Sequence, residues 1–120
     1  MAEIATCKLD WISPNGTVTP LCVRVSAPYE DNGCWRCPLA IDGLQSPHAT
    51  AGEDSLQAIS LALKLTHFYL RALLENGGQL FYASTESAFD LDAYFSEWPT
   101  VRDPKSEAAP DENGEPKPPE

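Results

Sequence analysis

The sequence predicts an α+β domain: an antiparallel β-meander of three to four strands packed against one long amphipathic helix. Three observations carry that prediction. Apolar and polar residues alternate along three runs between residues 4 and 42, the period of a half-buried strand. Polar residues recur every three or four positions between 54 and 76, the period of a helix with one wet stripe. A Gly77-Gly78 pair then separates that helix from a short apolar run at residues 79–83.

In the first run, residues 4–12, Ala5, Cys7, Leu9 and Trp11 share one face, and Thr6, Lys8 and Asp10 share the other. Pro14-Asn15-Gly16 supplies a turn. In the second run, residues 17–27, Leu21, Val23, Val25 and Ala27 share a face. Folding the runs about the turn sets Leu9 opposite Leu21 and Cys7 opposite Val23, so that the apolar faces coincide. Pro20 lacks an N–H, which places its strand at an edge or a bulge. Pro28 to Gly33 reads as a loop. The third run, Cys34 to Asp42, points Trp35, Cys37, Leu39 and Ile41 inward, and residues 44–53 read as a polar connection.

The helix has its punctuation in the sequence. Asp54 is the expected N-cap, with Gln57 as its capping-box partner, and Asn76-Gly77-Gly78 is the expected stop. Gln57, Ser60, Lys64, His67, Arg71 and Glu75 form the polar stripe. Ala58, Ala62, Leu65, Tyr69 and Leu73 lie opposite it and are expected to face the sheet, the alanines permitting a close approach. A second apolar flank holds Leu56, Ile59, Leu63, Leu70 and Leu74, more than one thin sheet covers. Phe89, Tyr94, Phe95 and Trp98 form a short aromatic segment that either covers this flank or joins it in an interface. The domain is expected to span residues 1–99. Residues 101–120 carry five prolines among charged and small residues, a composition too poor in apolar surface to offset the entropy of ordering. A disordered acidic tail is therefore expected from residue 100 to 120.

Lys and Arg number 8 against 18 Asp and Glu, a net charge of −10. That balance disfavours nucleic acid and anionic membranes, both of which need a basic surface. With no long apolar run for a membrane helix and no basic-then-apolar N-terminal signal, the expected compartment is the cytoplasm. Cys7, Cys22, Cys34 and Cys37 are then thiols or metal ligands, not disulfides.

Cys34-Trp-Arg-Cys37 has the spacing of a zinc or redox pair. In a strand, however, positions three apart point to opposite faces, so convergence of Cys34 and Cys37 on one ion requires a sharp bend. Cys37 with His48 or His67 is a candidate nucleophile pair; Asp90 with Asp92 and Glu53 with Asp54 are candidate acid–base pairs, of which Asp54 is better spent as a cap. No phosphate-loop, dinucleotide, serine-hydrolase or His-Glu-x-x-His pattern is present, and no cofactor is implied.

Two stretches, Cys34-Trp-Arg-Cys-Pro-Leu-Ala-Ile-Asp-Gly-Leu44 and Gly52-Glu-Asp-Ser-Leu-Gln-Ala-Ile-Ser-Leu-Ala-Leu63, resemble a family of small bacterial proteins of unknown function. Its pattern is a Trp-x-Cys-Pro strand ending in Ile-Asp-Gly, then a Gly-x-Asp-Ser-x-Gln-Ala helix start. The resemblance covers residues 4–83. It implies a bacterial source and the same meander-plus-helix layout, and brings no activity or ligand. Three functional readings follow. The first is a non-catalytic protein-interaction module engaging a protein partner or a second copy of itself through Leu56, Ile59, Leu63, Leu70, Leu74, Tyr94 and Trp98. The second is a metal-binding domain through Cys34 and Cys37. The third is a small enzyme using Cys37 or the carboxylates.

Overall fold

The computed structural model describes residues 2–95. Trp98 and the acidic tail lie outside the described residues. Within them the fold is α+β, a curled antiparallel sheet and one long helix, with more strands than the alternation predicts. The elements are β1 (Glu3–Ile12), β2 (Val18–Ser26), β3 (Tyr29–Asp31), β4 (Cys34–Asp42), β5 (Gln45–Gly52), α1 (Ser55–Glu75), β6 (Gln79–Tyr82) and α2 (Leu91–Phe95).

β1 and β2 form the expected hairpin, Leu9 opposite Leu21 and Cys7 opposite Val23. Their odd-numbered apolar residues meet on one face, so this register is the one that buries them together. The two additional strands occupy the segments read as loop and connection. β3 continues the line of β2 beside β4. Val25 sits opposite Leu39 and Tyr29 opposite Arg36, four residues advancing against three, which is a one-residue bulge. Pro38 stands at that interruption, where a proline is tolerated in an interior strand. β5 lines the other side of β4 from Gln45 to Gly52. The sheet therefore runs β5, β4, β2 with β3, β1 and β6.

α1 begins as the capping residues require. The Asp54 carboxylate accepts the Gln57 N–H at 2.7 Å, and the Gln57 side-chain oxygen accepts the Glu53 N–H at 2.7 Å. Its end is a Schellman closure: the Gly77 N–H reaches the Leu74 carbonyl and the Gly78 N–H the Leu73 carbonyl, both at 3.1 Å. Gly77 takes φ +92° there, a conformation that glycine adopts without steric cost. Between β5 and α1, a Cβ on Gly52 would lie 2.6 Å from the Ala58 backbone nitrogen. The tight passage lets Ala58 and Ala62, both fully buried, set the helix against β4 and β5.

The core faces of α1 differ in one detail from the wheel reading. Thr66 and Leu70 are buried along with Ala58, Ala62 and Leu73, while Leu65 and Tyr69 are half-buried at the margin. Thr66 can occupy the centre because its hydroxyl donates to the Ala62 carbonyl at 2.9 Å, leaving its methyl to pack. The sheet contributes Leu9, Leu21, Val23, Val25, Cys37, Leu39 and Ile41 to the same core. On the opposite face Arg24 ties three strands together, donating to Asp42 at 2.8 Å and to Glu3 at 3.1 Å. The bond from Arg24 holds the Asp42 carboxyl below its usual range.

Removal of the cap in Asp54→Ala is expected to cost about 1 kcal/mol, read as a fall of about 4–8 °C in Tm. Asp54→Asn is expected to recover most of it, because the amide oxygen accepts the same bond.

Candidate functional site

The four thiols do not assemble. Cys37 is fully buried, its Sγ against the Ser26 carbonyl at 3.4 Å. Cys34 donates to the Asp31 carbonyl at 3.4 Å, back along the β3–β4 turn. Burial pushes the Cys37 thiol up, and the Cys7 thiol is raised by burial and then by nearby Cys22. A raised, sealed thiol is a poor nucleophile. The residue opposite Cys37 in β5 is Thr50, whose hydroxyl donates to the Ala58 carbonyl at 2.8 Å. Among the described residues no three His, Cys, Asp or Glu side chains gather closely enough to hold a metal ion. The other candidates have local partners. His48 sits on β5 with Nδ1 at the Ser46 carbonyl, Asp54 caps α1, and the Asp90 carboxylate accepts the Asp92 N–H at 3.1 Å.

The apolar flank divides. Leu70 is in the core, and Ile59 and Leu74 are half-buried against it. Leu56 is 72% exposed, Leu63 40% and Tyr94 53%. Phe68, on the far border of the polar stripe, is also exposed. The sequence carries no separate signal for it, because it borders Lys64, His67 and Arg71 on one side and Ala72 on the other.

What the structure brings together is a concavity that sequence reasoning missed. An apolar cavity of about 160 Å³ lies between the sheet and α1. Ala5, Cys7, Val23 and Val25 form its floor, Leu63, Thr66 and Leu70 one wall, and Phe89, Tyr94 and Phe95 the other. The wall of aromatics is built by local geometry. Phe89 returns alongside β6, its N–H donating to the Leu80 carbonyl at 2.9 Å, and the Tyr94 and Tyr82 hydroxyls meet at 2.8 Å. That bond, and secondarily burial, pushes the Tyr82 hydroxyl up to about 12.

Leu63, Tyr94 and Phe95 also border a wider, open groove of about 710 Å³, whose remaining lining is Lys64, His67, Arg71 and Asp92. His67 stacks flat on Phe95, ring centroids 5.1 Å apart. Arg71 donates to Asp92 at 2.6 Å and to His67 Nε2 at 3.3 Å; a guanidinium has no acceptor, so Nε2 of His67 is the hydrogen-bond acceptor. Lys64 has no carboxylate partner among the described residues. The outcome is an apolar hollow with a polar, partly basic border.

A family model described as a domain of unknown function (DUF6968) matches residues 7–92. The chain belongs to that family. The match spans the strand and the helix start on which the resemblance rests, and also the floor of the cavity from Cys7 onward, its helical wall and Phe89. No curated protein and no solved structure matches the chain.

The burial of Cys37 gives a direct check. In native protein treated with a bulky thiol reagent and mapped by mass spectrometry, Cys37 is expected to stay unmodified until denaturant is added, while Cys22 and Cys34 react. Rapid native labelling of Cys37 would contradict its sealed position. Absorbance titration is expected to show one tyrosine ionising near 12, and the Tyr94→Phe variant to bring that titration down.

Proposed function

We propose that this domain is a non-catalytic protein-interaction module whose partner seats over the apolar hollow and the exposed end of α1. The observation that carries the reading is the cavity bordered by exposed Leu63 and Tyr94. Partly exposed apolar side chains around a hollow are the usual make-up of an interface anchor point. Leu56 extends the same flank toward the helix start, and Ile59 and Leu74 support it from the core side. Trp98 belongs to the proposed surface by sequence. The metal reading of Cys34 and Cys37, and the enzyme reading of Cys37, lack a comparable supporting arrangement, since each thiol is turned to a backbone carbonyl of its own neighbourhood.

The same proposal includes a domain spanning residues 1–99, a bacterial source, a cytoplasmic location, and a disordered acidic, proline-rich tail over residues 100–120. The net charge of −10 supports a protein partner over nucleic acid or a membrane surface. No helix among the described residues is long and apolar enough to cross a membrane.

The test is a paired one. Wild-type protein is used to capture partners from an extract of the cells that encode it, and its mass is measured by native mass spectrometry. Wild type is expected to retain a partner or to dimerise, and the Leu56→Lys, Leu63→Lys double variant to lose that association at least about tenfold, about 1.4 kcal/mol, with Tm unchanged. Equal retention by the variant, or a monomer that retains nothing, would overturn the proposal.

A further inference from the structure

The cavity lies beside a row of unused backbone groups. β6 is short, and it pairs only with Leu9 to Ile12 of β1. The Ala83 N–H extends the contact to the Lys8 carbonyl at 3.1 Å. Beyond that point, from Lys8 back to Glu3, the edge of β1 has no strand beside it among the described residues. In an antiparallel strand a residue's N–H and C=O point to the same side and alternate from one residue to the next. The Lys8 carbonyl faces β6, so both backbone groups of Thr6 and the Lys8 N–H face the open side. Ile4, Ala5 and Thr6 are exposed, and Ala5, Thr6 and Cys7 line the cavity. An open strand edge and an apolar hollow therefore share the same three residues.

We propose that this edge receives an extended peptide segment of a partner protein, which adds to the sheet beside residues 3–8 of β1. One apolar side chain of the segment enters the cavity, and a glutamate or aspartate two residues along, on the same face of the added strand, is held by Lys64 beside Arg71. The inference rests on the interaction-module reading and names its partner class. Each half of the site matches what an extended peptide offers. Unpaired strand groups bind main chain, and a pocket beside them selects alternate side chains. A cavity of about 160 Å³ is well below the roughly 300 Å³ of small-molecule sites and close to the roughly 150 Å³ that holds a single benzene ring. It is therefore the size of one side chain. The groove that shares Leu63, Tyr94 and Phe95 with the cavity supplies Lys64, His67 and Arg71, the one place on α1 where basic side chains recur along a stripe; its one carboxylate, Asp92, already pairs with Arg71, so that Lys64 is the cation left over among the described residues. In a chain of net charge −10 that concentration selects a carboxylate beside the apolar anchor, and it disfavours a long acidic partner.

The test uses full-length protein labelled with ¹⁵N and terminally blocked hexapeptides in a threonine–valine background. Each peptide has a central leucine, phenylalanine or tryptophan with glutamate two residues further on, so that both side chains lie on one face of the added strand. At least one of the three is expected to shift the amide signals of Ile4, Thr6 and Lys8 and to slow exchange at Thr6. Replacing its glutamate by lysine is expected to weaken binding about fivefold, about 1 kcal/mol. Thr6→Pro removes the outward N–H without touching the β1–β2 ladder and is expected to weaken binding at least about tenfold; Ala5→Trp, which fills the cavity from an exposed position, is expected to abolish it. Both variants are checked for an unchanged Tm. The proposal is overturned if no peptide shifts these amides at millimolar concentration, if binding survives both variants, or if the Thr6 amide is already protected in the free protein by a second copy or by residues following Phe95. Should that happen while the Leu56, Leu63 variant still loses its captured partner, strand addition alone has failed and the module reading stands.

Discussion

A single helix laid over a sheet wider than itself is the constraint from which the rest of this structure follows. Five strands at about 4.8 Å spacing make a sheet about 19 Å across, and a helix with its side chains is about 10 Å thick. One helix covers two or three strands, so its placement decides which part of the sheet is left. Here Ala58 and Ala62 bring α1 down on β4 and β5. Gly52 permits the close passage from β5 into the helix, and Thr66 stays apolar in effect by bonding its own helix backbone. The inner face of β1 and β2 is consequently covered unevenly: Leu9, Leu21, Val23 and Val25 are buried, whereas Cys7 is half-buried and Ala5 exposed.

The remaining apolar segments are spent on that uncovered part without filling it. Leu80, Phe89 and Leu91 are buried and close one end of the sheet. Leu70 closes the core from the helix side. What is left is the hollow over Cys7, Val23 and Val25. Because β6 ends at Tyr82, the half of β1 nearest the hollow also lacks a neighbour on its outer edge. Both features come from one shortage of covering structure, which is why they coincide. The thiols tell the complementary story. Cys37 lies where the helix does cover the sheet and is sealed, so the residue that looked most like a nucleophile in sequence is among the most protected in the fold.

Much of this was legible in the residues. The β1–β2 register followed from matching Leu9 and Cys7 to Leu21 and Val23, and the limits of α1 followed from Asp54, Gln57 and the Gly77-Gly78 pair. β5 was not legible, because Gln-Ser-Pro-His-Ala-Thr-Ala-Gly has no strong alternation and contains Pro47. Its strand form comes from pairing with β4 and packing under α1, both non-local. β3 was hidden because Pro28 to Gly33 has turn composition, and only the hairpin with β4 draws its middle into the sheet. The inward place of Thr66 over Leu65 depended on a small rotation of the helix that favours a shorter side chain over the sheet. The hollow and the open edge were illegible for a different reason. They depend on where β6 stops and α1 lies, and no periodicity within one segment records that.

The most direct measurement is residue-resolved amide hydrogen exchange along β1 in the free, full-length protein. The account predicts alternation. The Cys7 and Leu9 amides, which face β2, exchange slowly, and the Thr6 amide, which faces the open edge, exchanges faster by orders of magnitude. The Asp10 amide, which β6 covers, is again slow. Uniform protection from Thr6 to Asp10 would contradict the account, because it would mean that something already lies along the edge on which the hollow and its proposed partner depend.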